Sequence, residues 1–441
     1  MFFNSFEYIA FIFIMLVGVV LTNRKKSVSI RNMILLCGSY YFYAQFNPYF
    51  VILLILITVI NYAAGQRIHT LHAKGLKGKW EVSIAIILSI GILCVFKYAY
   101  LFDESILLPV GLSFFTFQAL TYTIDIYRNK IEAEKNLVNV ALFISFFPTI
   151  LSGPIERARN LIPQFKERGE INLEGIEDGV KQFIYGLFKK VVVADRLALY
   201  VDQMFLSPTN ESGSTLALAA VFYSFQIYCD FSGYADMAIG SGKILGFKIM
   251  ENFNLPYCAK TIKEFWRRWH ISLTSWFTEY VYFSLGGNRV TQVRWIFNIS
   301  AVFLLSGIWH GATYTFILWG ALHAIYYLME KYFGPKQPNV VYHAFIFILI
   351  TFAWVFFRIE DSQTAAGVIY QICTDLISPI SFGSSTFSTF ITILLLMLFI
   401  VREYLSYRQI LSKQTYLETV LLLLCICLLG VSNSSFVYFQ F

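Results

Sequence analysis

The chain has 441 residues, of which 57% are hydrophobic and 14% charged, with a mean hydropathy of +0.61 and a formal charge of +7. That apolar share is too high and that charged share too low for a soluble domain, so the chain is an integral membrane protein. The positive charges are dispersed among apolar runs and form no single basic stripe, which excludes a nucleic-acid binder.

Apolar runs recur at 6–22, 32–46, 49–64, 82–101, 109–126, 138–151, 214–231, 295–331, 341–357, 386–401 and 416–431. None alternates as a barrel strand would, and lipid admits only helices and closed barrels. The expected fold is all-α and polytopic, with about 10 to 12 transmembrane or re-entrant helices in one membrane domain over residues 1–441. The run 295–331 is long enough for two spans and breaks at Trp309-His310-Gly311.

The first run lacks a basic leader and a small-residue cleavage site, so it reads as a retained span. Basic residues alternate by side in the early loops. Arg24, Lys25, Lys26 and Arg31 fall in one loop and Arg67, Lys74, Lys77 and Lys79 in the loop two spans later, whereas the loop after the fourth span carries Asp103 and Glu104. Positive loops stay cytoplasmic, which puts the N-terminus outside. The segment 156–212 mixes Glu156, Arg157, Lys166, Arg168, Glu174, Glu177 and Asp178 with Lys189, Lys190, Asp195 and Arg196, as amphipathic helices along a surface or between spans would.

Several chemistries are excluded. The seven cysteines have no CxxC spacing and an odd total, which supports neither a zinc site nor a disulfide framework, and they read as packing residues. Gly240-Ser241-Gly242-Lys243 is not a phosphate-binding loop, because Met237 stands where the first glycine belongs and Ile244 where Ser or Thr meets magnesium. There is no GxSxG elbow and no HExxH. No fixed-period repeat is visible.

Two histidines beside tryptophan remain. Read as one helix, 264–277 puts Trp266, Trp269, Leu273, Trp276 and Phe277 on one face with His270 at its edge and Arg267 and Arg268 pointing away. This is either an interfacial helix with a wet histidine or a helix that projects His270 into a polar pocket. His310 lies between two strongly apolar runs and between Gly307 and Gly311, which admit close approach of backbone or ligand. It is either a histidine bonded to a carbonyl at a helix break or a functional group, since titratable residues inside a membrane are expensive. His69 and His72 lie in a basic loop, and His323 and His343 read as packing or interfacial residues.

An ordered set of motifs carries a family resemblance: Ser152-Gly153-Pro154-Ile155-Glu156-Arg157, Asp230 through Gly240, Asn252-Phe253-Asn254-Leu255-Pro256-Tyr257, Glu264 through Ser272, Leu285-Gly286-Gly287-Asn288-Arg289, Trp309-His310-Gly311 and the terminal Phe436-Val437-Tyr438-Phe439-Gln440-Phe441. In that order they resemble the membrane-bound O-acyltransferases, above all the branch that O-acetylates alginate and related bacterial exopolysaccharides. Similar motifs occur in the branch that transfers D-alanine to teichoic acid, which is the alternative within the family.

The resemblance implies a ring of helices around a thin centre with a catalytic funnel or tunnel. It implies His310 as the catalytic histidine and His270 as the second characteristic polar position, with Asn288, Trp309 and Trp269 as substrate-binding candidates. It further implies acetyl-CoA or another acyl-CoA as a cytoplasmic donor substrate, no permanently bound cofactor and no metal. The implied partners are the lipid bilayer of a bacterial cell membrane, a polysaccharide acceptor and an extracytoplasmic acetyltransferase protein that relays the acetyl group, and no nucleic acid. A histidine of ordinary pKa, about 6.5, suits removal of a proton from a hydroxyl attacking a thioester. Two rival classes are a secondary transporter, which usually shows paired broken spans in two related halves, and a non-catalytic scaffold that would tolerate loss of both histidines.

Overall fold

The computed structural model of the protein describes residues 1–24, 27–99, 108–167, 171–383, 385–411 and 414–431. Lys25, Lys26, Asp103, Glu104, Arg168 and the terminal segment 436–441 lie outside the described residues. Among the described residues every regular element is helical. The long helices follow the apolar runs, because in lipid the backbone must satisfy its own hydrogen bonds.

Contacts divide the chain into two compact units, Met1–Phe183 with Tyr234–Glu251, and Ile184–Gly233 with Asn252–Phe441. The first contains α1 (Phe6–Arg24), α2 (Val28–Ala44), α3 (Phe50–Ala73), α4 (Lys79–Tyr98), α5 (Leu112–Tyr127), α6 (Leu137–Ser145), α7 (Ala158–Lys166) and most of α8 (Leu173–Phe188). The second contains α9 (Asp195–Leu206), most of α10 (Gly213–Ile244), α11 (Ile262–Arg268), α12 (Ile271–Trp276), α13 (Gln292–His310), α14 (Tyr314–Phe333), α15 (Val340–Arg358), α16 (Ser362–Thr374), α17 (Thr386–Tyr407) and α18 (Tyr416–Leu429). Six helices, α1, α3, α4, α13, α15 and α17, are long and apolar enough to cross a membrane, and α18 is a shorter apolar helix. The chain is therefore a multi-pass membrane protein, with helices too short to span, such as the nine-residue α6, between the spans.

Polar side chains knit the first unit where water is absent. Asn61 on α3 donates to Ser89 Oγ on α4 at 3.1 Å and accepts from Thr123 Oγ1 on α5 at 2.7 Å. The buried Arg31 donates to the carbonyls of Phe165 and Glu167, both at 2.9 Å, so its cation satisfies acceptors that the end of α7 leaves open. In the Ser152–Arg157 motif, Glu156 is buried and accepts from the Met250 and Arg157 N–H groups, and burial pushes its carboxyl up to about 7.

In the second unit, α13 and α14 pack backbone to backbone. A Cβ at Gly307 would strike the Phe316 carbonyl oxygen, and one at Gly320 the Phe303 carbonyl oxygen. Small residues at such contacts let membrane helices approach closely. The break between these helices falls where the sequence predicts it, with α13 ending at His310 and α14 starting at Tyr314.

Of the two placements open to the charged segment 156–212, along a surface or between spans, the structure disfavours the first for part of it, and the packing role of the cysteines is corrected. Lys189, Lys190 and Asp195 do not face a surface; all three are buried, in or beside a π-helical turn over Lys189–Ala194. Their charges are paired internally, as described below. Of the seven cysteines, all free, Cys229 alone is buried, and four sit exposed on the protein's outer faces, so packing does not explain most of them.

Candidate functional site

The site belongs to the second unit and begins with a helix that does not form. The segment 264–277 is not one helix. It breaks after Arg268, and His270 takes the left-handed conformation, φ +43° and ψ +52°, at the start of α12. Such a backbone costs a β-carbon residue about 1–3 kcal/mol and persists only where the surroundings over-determine it.

The surroundings are the irregular segment Asn252–Asn254. The Asn252 carbonyl accepts from the Ile271 N–H at 2.8 Å, and its Oδ1 accepts from the Ser272 N–H at 3.2 Å and the Ser272 hydroxyl at 2.8 Å. The Asn254 N–H donates to the Arg268 carbonyl at 2.9 Å. These bonds replace those a continuous helix would make, so the break is written in the Asn252–Tyr257 motif and not in 264–277 itself. Below the break the chain resumes as α12 and then a π-helical turn over Phe277–Tyr282.

His310 reaches the same place from the other direction, as the last residue of α13. Gly311 is extended, and its N–H donates to the Gly307 carbonyl at 3.2 Å. A Cβ on Gly311 would overlap the Phe316 ring, so this sharp exit from the helix is closed to larger residues.

The two imidazoles lie with ring centroids 6.4 Å apart, both almost wholly buried. Phe231 stands edge-on to His270 at 4.6 Å, whereas Trp309, Trp319 and Phe357 pack on His310 at 4.9, 5.1 and 5.1 Å. Burial pushes the His270 imidazole down to about 3, so it stays neutral at any physiological pH.

The Asp230-Phe231-Ser232 motif gains a physical reading from this arrangement. Phe231 supports His270, and its neighbours fasten α10 to the π-helical turn. Asp230 binds Lys190 Nζ at 2.7 Å, Asp195 binds the same ammonium at 2.8 Å, and Ser232 accepts from Lys189 Nζ at 2.9 Å.

The other candidates are placed differently. Trp309 contacts both histidines, at 6.1 Å from His270. Trp269 follows the chain into a separate aromatic group and packs on Phe253 at 5.1 Å and Trp354 at 4.9 Å. Asn288 is exposed and follows the Gly286-Gly287 turn, where the Leu285 and Gly287 carbonyls accept from Asn298 Nδ2 at 3.2 and 3.1 Å. It lines a cavity of about 350 Å³ together with Lys263, Trp266, Arg267, Phe303 and Ser306. Asn252 carries no signal of its own in the sequence, although the motif containing it is distinctive. Nor do Trp319 and Phe357, which lie in apolar runs where an aromatic carries no distinguishing signal.

The profile of the MBOAT, membrane-bound O-acyltransferase family, matches residues 80–357. A protein of Pseudomonas aeruginosa named "Probable alginate O-acetylase AlgI" is 38% identical over 356 residues, which cover 76% of this chain and 68% of that protein. The peptidoglycan O-acetyltransferase of Helicobacter pylori is 36% identical over 381 residues, with 76% and 72% covered. The teichoic acid D-alanyltransferase of Bacillus subtilis is 31% identical over 264 residues, with 56% and 67% covered.

Proposed function

The chain belongs to the membrane-bound O-acyltransferase family, and from that premise we propose that it moves an acetyl group from cytoplasmic acetyl-CoA to a hydroxyl on the far side of a bacterial cytoplasmic membrane. The hydroxyl belongs to a cell-surface polysaccharide or to an extracytoplasmic partner protein that relays the group to it. The observation that carries this reading is the buried pair His270 and His310, 6.4 Å apart, at two chain breaks in a polytopic membrane protein.

A thioester needs little further activation. The protein must hold donor and acceptor together and take the proton of the attacking hydroxyl. His310 is the general base, at the end of α13 where the backbone turns away and leaves the ring beside Trp309 and Trp319. His270, kept neutral by burial, orients the acceptor through a ring nitrogen. Trp309, which packs on both imidazoles, forms an apolar wall of the site, and Trp269 holds the chain beside His270 through its packing on Phe253 and Trp354. Lys263 and Arg267 line the cavity that Asn288 shares, where cations suit the phosphates of a nucleotide-bearing donor.

Acetyl transfer is favoured over D-alanyl transfer because the O-acetylating relatives align over 76% of the chain and the D-alanyl relative over 56%. The test is label transfer from radiolabelled acetyl-CoA in membranes that carry the wild type or His310→Ala at matched expression, with the polymer and partner present. Label reaching polymer or partner only with His310 intact is the expected result. Equal labelling would remove His310 from its role and restore the transporter and scaffold readings.

A further inference from the structure

Beside the histidine pair lies a group of polar atoms that the acyl-transfer reading leaves unused. Three rings of α11 and α14 meet as a triangle. The centroids of Trp266 and His323 are 4.8 Å apart, those of Trp319 and His323 4.9 Å, and those of Trp266 and Trp319 5.7 Å. His323 is 0% exposed, Trp319 1% and Trp266 9%. Among the described residues, Trp266 Nε1, Trp319 Nε1 and both ring nitrogens of His323 have no hydrogen-bond partner.

Nearly all buried polar groups in native proteins are hydrogen-bonded, so four orphan atoms in one cluster call for a ligand group to meet them. The type of atom says which. An indole nitrogen donates and never accepts, so two of the four demand an acceptor. The triangle also adjoins the chemistry, because the Trp319 ring stands against His310 at 5.1 Å and 82°. It has an approach as well. Trp266 and Phe303, both packed on His323, line the cavity of about 350 Å³ that carries Lys263 and Arg267.

We propose that the indole N–H groups of Trp319 and Trp266, with His323 wedged between them, receive the acyl carbonyl oxygen of the donor and stabilise the oxyanion that forms on it. The proposal rests on the acyl-transfer reading. As the acceptor oxygen bonds to the thioester carbon, the carbonyl π electrons move onto oxygen and the hydroxyl proton passes to His310. The carbonyl re-forms as the C–S bond breaks, and the thiolate takes the proton from His310 and leaves as a thiol. The negative oxygen exists only between these two events, and preorganised donors act most strongly on charge that develops there. His323 holds the two indoles apart at nearly equal distances, which makes it a positioning residue.

Trp319→Phe tests this by keeping an aromatic ring and deleting the N–H. With label transfer from acetyl-CoA in matched membranes, kcat and kcat/KM should fall together by about 10²–10³-fold, while the KM for the donor stays unchanged. Trp266→Phe should fall in the same pattern. A Trp319→Phe protein with the wild-type kcat, or with a raised KM and an unchanged kcat, would overturn the proposal.

Benzothienylalanine placed at position 319 controls for folding, since it has the shape of tryptophan with sulfur in place of the N–H. Loss of rate with this isostere supports the donor role. Full activity with it, beside an inactive Trp319→Phe, assigns the loss to packing and overturns the proposal. Wild-type membranes that transfer no label, or His310→Ala membranes that transfer as well as wild type, would bring down the acyl-transfer reading itself and the proposal with it. Failure at position 319 alone leaves that reading standing.

Discussion

Asn252→Ala removes no candidate catalytic group, yet the structure expects it to damage the site. The alanine backbone still accepts from the Ile271 N–H, but the two bonds to Oδ1, from the Ser272 N–H at 3.2 Å and the Ser272 hydroxyl at 2.8 Å, are lost. Ser272 is fully buried, so both bonds to Oδ1 are lost away from bulk water, at about 0.5–1.5 kcal/mol each. Together the two bonds put the expected loss at roughly 1–3 kcal/mol. The same bonds hold His270 in its left-handed conformation against a strain of about 1–3 kcal/mol, so their loss lets the break relax toward a helix and carries the imidazole away from Phe231. A displacement of about 1 Å at a positioning group can lower a rate 10²-fold. Thermal unfolding of detergent-purified protein and acetyl transfer in membranes should therefore both fall. Ser272→Ala should cost less, and the double variant should be less damaged than the two single losses summed, because both variants remove the same bond from the Ser272 hydroxyl to Asn252 Oδ1. An Asn252→Ala protein that melts and transfers like wild type would refute the account of the break.

Two further outcomes follow from the same unit. Lys190→Met leaves the Asp195 and Asp230 carboxylates buried without their shared ammonium and should cost about 3–5 kcal/mol, whereas Lys190→Met combined with Asp195→Asn and Asp230→Asn should recover most of that loss in the melting temperature; a single variant as stable as wild type would contradict this. His270, held down to about 3, carries no proton change between pH 5 and 9, so His270→Gln should lower the transfer rate without moving either limb of its pH profile. A shifted limb in that variant would place the proton transfer on His270 instead of His310.

The parts of the fold that the sequence discloses are those decided locally. Lipid forces each spanning segment to close its own hydrogen bonds, so apolar length alone reveals α1, α3, α4, α13, α15 and α17. The end of α13 at His310 is equally local, because Gly311 and the change of helix direction are adjacent in the chain. Candidate site residues were legible where a titratable group in an apolar run is itself unusual, as His310 is. What stayed hidden depends on partners distant in sequence. The periodicity of 264–277 is that of a good helix, and nothing within it announces that Asn252 and Asn254 claim its backbone bonds. The charges at 189–195 fit helices along a surface as well as between spans until Asp230 is placed against Lys190.

His323 shows what composition leaves unread near the histidine pair. A single histidine in an apolar helix is by its surroundings a packing residue, and its neighbours Trp266 and Trp319 are core aromatics by the same criterion. Each ring taken alone satisfies the hydrophobic pattern, because most of its surface is carbon. Only their assembly brings two donor nitrogens and an imidazole together beside His310 with no protein acceptor among the described residues. A site built from aromatic side chains can thus contribute to the hydrophobic pattern that folds the membrane domain and keep its polar atoms for substrate. Polarity scales average over that distinction, and it becomes readable once the rings are placed relative to one another.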